Sequence, residues 1–196
     1  MTELIKMVVV LVLLSSSSGG LLHWLKTQTS SKIEDQQVQF VKGPALKSIF
    51  KGSSNDPTAD RFTIKVGETE KNFFVGKFEG KTNCVAFEGF GKGGYGGDIG
   101  LMIGVDIDNG SVLGAAVTTH SETPGLGAKA KDDPGFVSQL KGLSIESPIL
   151  VTNDGGKINA MSGATITSRA VCNAANDAGK IYKEIKSQLT EKVKSF

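Results

Sequence analysis

From Met7 to Leu25 the chain carries no carboxylate, lysine or arginine, and Lys6 and Lys26 flank the run. At roughly 1.5 Å per helical residue it approaches the ~30 Å of a bilayer's hydrocarbon core. The chain is thereby divided into a segment suited to a membrane and a remainder that must fold in water. Met7 to Leu14 is strongly apolar, Ser15-Ser16-Ser17-Ser18-Gly19-Gly20 is not, and Leu21, Leu22, Trp24 and Leu25 resume the apolar character. One outcome is a cleaved signal peptide, with Met7 to Leu14 as its apolar region and the Ser/Gly stretch as its cleavage site. The other is a retained single helix, with Trp24 beside Lys26 as an interfacial anchor and small residues suited to close helix contacts in a membrane assembly. We expect the anchor, over residues 1–26, and one globular domain over 27–196. Lys6 and the amino terminus face Lys26 and Lys32 across the segment, so charge leaves the orientation open.

A chain of 196 residues with 39% hydrophobic content supports one sizeable core. The net charge of +2 comes without a basic cluster interleaved with aromatics, which argues against a nucleic-acid partner. Cys84 and Cys172 have no neighbours at metal-ligand spacing. They are open to a disulfide outside the cytoplasm, although two buried thiols is the commoner outcome.

Residues 27–50 place Ile33, Val38, Phe40, Val41, Leu46, Ile49 and Phe50 at helical intervals, with a break at Gly43-Pro44. Phe62 to Val66 and Asn72 to Val75 read as strands. Ile99 to Asp108 and Ser111 to Thr119 form a hairpin about Asn109-Gly110, a type I′ signature. The acidic spacing Asp106-x-Asp108 resembles a calcium loop, but Ser111 and Val117 stand where the EF-hand needs Gly and Glu. Phe136 to Leu140 starts a short helix, and an Asn-Asp-Gly-Gly turn separates Ile149 to Thr152 from Lys157 to Asn159. Strands in the middle and helices at both ends give an α+β class, a mainly antiparallel sheet flanked by helices. The glycines of residues 91–100 fit neither the dinucleotide nor the Walker pattern.

The chemistry concentrates near the C-terminus. Asn159-Ala-Met-Ser-Gly-Ala-Thr-Ile-Thr-Ser168 precedes an amphipathic run in which Val171, Ala174, Ala175, Ala178, Ile181, Ile185 and Leu189 recur at helical spacing. Thr165, or Ser162, can be an ordinary N-cap there. The same place, with Gly163 permitting close approach, also suits a phosphate. Asn159-x-x-Ser162-Gly163-Ala164-Thr165 resembles the flavinylation motif of the FMN-binding domain family, which occurs in the G subunit of the Rnf electron transport complex and in the C subunit of the Na+-translocating NADH:quinone reductase. His120-Ser121-Glu122-Thr123-Pro124-Gly125-Leu126-Gly127 and Gly94-Tyr95-Gly96-Gly97 resemble two further hallmarks, in family order. The resemblance spans residues 30–196.

It implies FMN joined by a phosphoester to Thr165, with Ser162, Gly163, Ala164, Ile166, Thr167 and Ser168 about the phosphate. Tyr95, Gly96, Gly97, Glu122, Thr123, Pro124, Gly125, Leu126 and Gly127 would be the other cofactor-binding residues, with Leu126 against the ring and Tyr95 a candidate to stack on it. A direct proton or redox role for His120 is not expected, because a lone His at a strand end is usually structural. No His/Asp pair adjoins Thr165 in sequence to activate its hydroxyl, so the resemblance implies a separate Mg2+-dependent flavin transferase using FAD. It further implies a membrane-anchored electron carrier, its domain on the non-cytoplasmic side, among the redox and membrane subunits of a complex coupling ferredoxin:NAD+ electron flow to Na+ or H+ transport. The C subunit of the quinone reductase is the near alternative, though usually longer. A non-redox extracytoplasmic module binding a phosphorylated ligand is the alternative from another class, and a reductase acting through a separate catalytic partner is a third.

Overall fold

The computed structural model describes residues 2–79 and 81–196. Its first element is one continuous helix, α1 (Thr2–Gln37), in which an 18-residue stretch of Thr2–Ser30 has a mean hydropathy of 1.9 and is exposed throughout. It is the one helix among the described residues long and apolar enough to cross a membrane. The chain forms two compact units, one ending at Gln39 and one spanning Phe40–Phe196. A π-helical turn over Val38–Lys42 leads to α2 (Gly43–Ile49), so Gly43-Pro44 marks a change of helix type. Pro44 lies in the first turn of α2 and, lacking an N–H, donates no hydrogen bond back into the preceding turn.

The second unit is built on an antiparallel sheet in simple sequential order: β1 (Arg61–Val66), β2 (Thr69–Phe78), β3 (Lys81–Gly91), β4 (Ile99–Asp106) and β5 (Val112–Thr119). The pleat divides its side chains. Phe73, Val75, Val85, Phe87, Leu101, Ile103 and Val105 face a long C-terminal helix, α5 (Thr165–Val193), and make the main core. The opposite face carries Phe74, Ala86 and Met102, all buried, and Gly76 and Gly104, which lie under Phe50 and Ile49 at the end of α2. Both faces are covered, so β3 is apolar without alternation: Cys84, Val85, Ala86 and Phe87 are all buried. Sequence periodicity overlooks this central strand for that reason.

Gly89 and Gly91 let α5 rest directly on β3. An added Cβ at Gly91 would overlap the Ala170 carbonyl, and one at Gly89 the Ala174 carbonyl. The seven apolar positions read as the inner face of this helix, Val171 through Leu189, are all buried. Two short helices, α3 (Lys129–Asp132) and α4 (Pro134–Ser138), follow β5, with Asp133 capping α4 by accepting from the Gly135 amide at 2.8 Å.

One detail differs from the sequence expectation. Asn109 has no positive φ, so the β4–β5 connection is not type I′; Gly110 alone is left-handed, at φ 69°. The Asp106 carboxylate accepts from the Asp108 amide at 2.9 Å and starts the turn earlier, and the Asp106 carbonyl accepts from Gly110. Cys84 and Cys172 are free thiols. Cys84 points to the α2 face of the sheet and Cys172 lies in the α5 core, so the sheet separates them. Burial pushes both thiols up to about 11.

Candidate functional site

The three glycine-rich segments singled out in the sequence meet at the N-terminus of α5. Two turns bracket the place. In one, Thr123-Pro124-Gly125-Leu126, the Leu126 amide donates to the Thr123 carbonyl at 3.2 Å, with Pro124 second and Gly125 at φ 75° third, the residue pattern of a type II turn. In the other, Met161-Ser162-Gly163-Ala164, the Ala164 amide donates to Met161 at 3.0 Å, with Gly163 at φ 74° in the corresponding place. The turns face each other: a Cβ on Gly163 would lie 3.4 Å from Leu126 Cδ2.

Between them lies a cleft of about 600 Å3, lined by Tyr95, Glu122, Thr123, Leu126, Gly127, Gly163, Ala164, Thr165, Ile166 and Thr167. Ten of the expected residues therefore share one cavity, in the size range of small-ligand sites. Gly96, Gly97, Pro124, Gly125, Ser162 and Ser168 do not line it. Gly96 is tied to it through Glu122. Ser168 turns inward, its hydroxyl accepting from Met161 N at 3.0 Å and donating to the Ala164 carbonyl at 2.9 Å, so its polar groups are committed to the fold.

Thr165 is not the cap of α5. The N-cap position is Ala164, which has no side chain able to cap, and Thr165 is the first helical residue. Among the described residues, no acceptor meets the amides of Thr165, Ile166 and Thr167, and no hydrogen bond engages the half-buried Thr165 hydroxyl. The helix end thus presents three free donors and a partial positive charge beside a free hydroxyl. The cleft's rim is apolar: Tyr95, Leu126 and Ile166 are 75%, 48% and 48% exposed.

Glu122 joins the three segments. Its Oε1 accepts from the Gly96 amide at 2.9 Å and its Oε2 from the Thr167 hydroxyl at 2.6 Å, with the residue only 5% exposed. Gly127 and Gly94 leave the space this carboxylate occupies: a Cβ on Gly94 would lie 2.7 Å from Glu122 Oε1, and one on Gly127 2.7 Å from Thr167 Oγ1. His120 has a structural task, Nδ1 accepting from the Glu122 amide at 3.3 Å.

Residues that sequence reasoning passed over hold the site from outside. The Gln139 carboxamide grips Asn159, accepting from its amide at 2.8 Å and donating to its carbonyl at 3.2 Å. Asn176 grips Ile149 in the same two-bond manner, at 2.8 Å each. Arg169 binds Asp154 through two bonds of 2.7 and 2.8 Å, which holds the Asp154 carboxyl below its ordinary range. Asp177 accepts from Phe90 N at 3.0 Å and fixes the start of the glycine loop on α5. Only tertiary proximity gives these polar residues their partners, so no local pattern announces them.

Comparison with known proteins adds the chemical class. The model of the FMN-binding domain family matches residues 94–180, which include all three segments. The G subunit of the ion-translocating oxidoreductase complex of Escherichia coli (strain K12) is 30% identical over 192 residues, covering 93% of each chain. The corresponding G subunit of Cereibacter sphaeroides is 38% identical over 143 residues, covering 69% of this chain and 64% of its own. Among solved structures, NqrC of Shewanella oneidensis is similar with a TM-score of 0.54 and 25% identity, over 72% of this chain and 73% of that one. The C subunit of the Na(+)-translocating NADH-quinone reductase from Parabacteroides distasonis gives a TM-score of 0.52 and 28% identity, over 61% and 64%.

Proposed function

Because the chain belongs to the family of G subunits of ion-translocating oxidoreductase complexes, we propose that it is the FMN-bearing electron-transfer subunit of such a complex, with the cofactor held through its phosphate on Thr165. The observation that carries the reading is the uncapped end of α5, where three free amides and an unbonded threonine hydroxyl open into one cleft. That end suits a phosphate, and Leu126, Ile166 and Tyr95 offer the apolar surface that a flavin ring needs and a bare phosphate does not.

Bound FMN supplies one- and two-electron redox chemistry, and an ester at its phosphate leaves the ring free to perform it. The protein's own residues place and retain it. The amides of residues 165–167 stabilise the roughly single negative charge of a phosphodiester by about 0.3–2 kcal/mol, and the covalent bond does the retaining. Gly163 keeps the approach to Thr165 open, and Glu122 locks the glycine loop, the Thr123 turn and α5 in register.

Among the described residues no basic side chain is bonded to the Thr165 hydroxyl to deprotonate it, and the carboxylate that lines the cleft, Glu122, is committed to Thr167. A threonine hydroxyl needs a base or a metal to act as nucleophile. Attachment is therefore the work of a separate Mg2+-dependent flavin transferase, in which the Thr165 oxygen takes the FMN phosphoryl of FAD and AMP leaves. α1 anchors the chain as a single span, with the domain on the non-cytoplasmic side and its electron partners among the membrane and redox subunits of a ferredoxin:NAD+ system moving Na+ or H+.

Producing the chain with and without such a transferase tests this. The expected result is a band that keeps flavin fluorescence through denaturing electrophoresis only when the transferase is present. A colourless chain in both cases would favour a reversible phosphate-ligand module.

A further inference from the structure

Building on the reading of the cleft as the FMN site, we propose that Glu122 is a specificity-determining residue. Its buried carboxylate makes the cleft discriminate against a free phosphate of higher charge while tolerating the singly charged phosphodiester on Thr165.

Both Glu122 oxygens accept hydrogen bonds, one from the Gly96 amide and one from the Thr167 hydroxyl. Two neutral donors are the partners an acceptor-only carboxylate takes. Among the described residues no lysine, arginine or histidine pairs with it, so neutral donors alone hold the charge. Its partner Thr167 belongs to the first turn of α5, and Glu122 and Thr165 line the same cleft. The negative charge thus sits beside the amides that attract an anion. A helix end contributes roughly half a positive charge, and the carboxylate works against it.

The balance separates two kinds of phosphate. A terminal phosphate carries about −1.5 to −2 at pH 7, whereas a diester carries about −1. Repulsion grows with the product of the charges, so the carboxylate opposes a free phosphate up to about twice as strongly as an esterified one. The amides can then hydrogen-bond a phosphate that the Thr165 ester holds in place without retaining a loose one. An unloaded chain keeps its cleft clear of stray phosphorylated compounds until the transferase acts.

The test uses the full-length chain in detergent, made without transferase and carrying Thr165→Ala, titrated with FMN and with riboflavin, which has the same ring and no phosphate. In this background FMN should bind no tighter than riboflavin. Adding Glu122→Gln keeps both hydrogen bonds, since the amide oxygen can accept from Gly96 and the NH2 can donate to Thr167 Oγ1, yet removes the charge. FMN should then bind at least tenfold tighter than riboflavin. Adding Thr167→Val instead removes a hydrogen bond but leaves the charge, and the ratio should stay near one. An unchanged ratio in Glu122→Gln overturns the inference, as does an equal rise in Thr167→Val, which would reveal mere loosening. Failure of every variant to bind either flavin overturns it as well; if the wild-type chain still accepts covalent FMN, the cleft remains the flavin site and only the discrimination is lost.

Discussion

α1 and α5 are the two long helices among the described residues, and they solve opposite problems. α1 is exposed along its whole apolar stretch, with Leu11 at 63%, Leu22 at 67% and Trp24 at 58%. α5 keeps its apolar residues on one side, pressed against β3 through Gly89 and Gly91, and leaves lysines and glutamates on the other. A helix apolar on every side requires surroundings that are apolar too, which a bilayer supplies. A helix apolar on one side finds them in its own sheet. The second arrangement holds the start of α5, with its three free amides, at the wall of a cleft.

The contrast is most easily undone in α1. Replacing Leu11 and Val12 together by arginine should abolish stable membrane association, since each arginine near the centre of a span costs about 2.5–3.5 kcal/mol on insertion scales. Alkaline extraction of membranes would show the chain moving to the soluble fraction, and retention in the pellet would deny the anchor. In α5 the sharpest probe is Gly91→Ala, which forces a methyl group into the Ala170 carbonyl. A loss of about 3 kcal/mol in urea unfolding is expected; a near-neutral effect would mean that the helix does not rest on β3 as described.

Gln139→Ala should cost about 1 kcal/mol, because it removes both bonds to Asn159, and should slow loading of Thr165 more than it lowers Tm. Rates of flavin attachment and thermal melts on the same variant would check this, and an unchanged loading rate would leave Asn159 without a part in placing the motif. The smallest effect belongs to Asp154→Asn, at an exposed pair. The Asp154 carboxyl is held below its unfolded value of about 3.8 by the hydrogen bond and charge of Arg169. A depressed carboxylate contributes stability that is present above the unfolded pKa and lost as pH falls through the folded one. In thermal melts the wild type should therefore unfold slightly later than Asp154→Asn at pH 6, and the difference should vanish as pH drops below about 3.8. A difference that persists under acid would assign the pair no electrostatic part.

The helices were also the most legible elements. The inner face of α5 follows from its spacing because one-sided burial leaves a one-sided pattern, and all seven predicted positions are buried. β3 is hidden because burial on both faces erases alternation. The β4–β5 turn is misread because Asn109-Gly110 dominates local statistics, whereas the Asp106 carboxylate decides where the chain bends. At the site, motif resemblance assembles residues that physics alone leaves open, since an N-cap and a phosphate site use the same residue types. The structure removes Thr165 from the cap position, which Ala164 holds. The linking part of Glu122 was not legible, because it depends on partners 26 and 45 residues away.

The most direct measurement of the central claim is the intact mass of the chain produced with a flavin transferase, for wild type and for Thr165→Ala. The expected result is an adduct of one FMN on the wild type, surviving denaturation and absent from the variant. An adduct that persists on Thr165→Ala, or a wild type that never carries one, would contradict the assignment of Thr165 as the point of attachment.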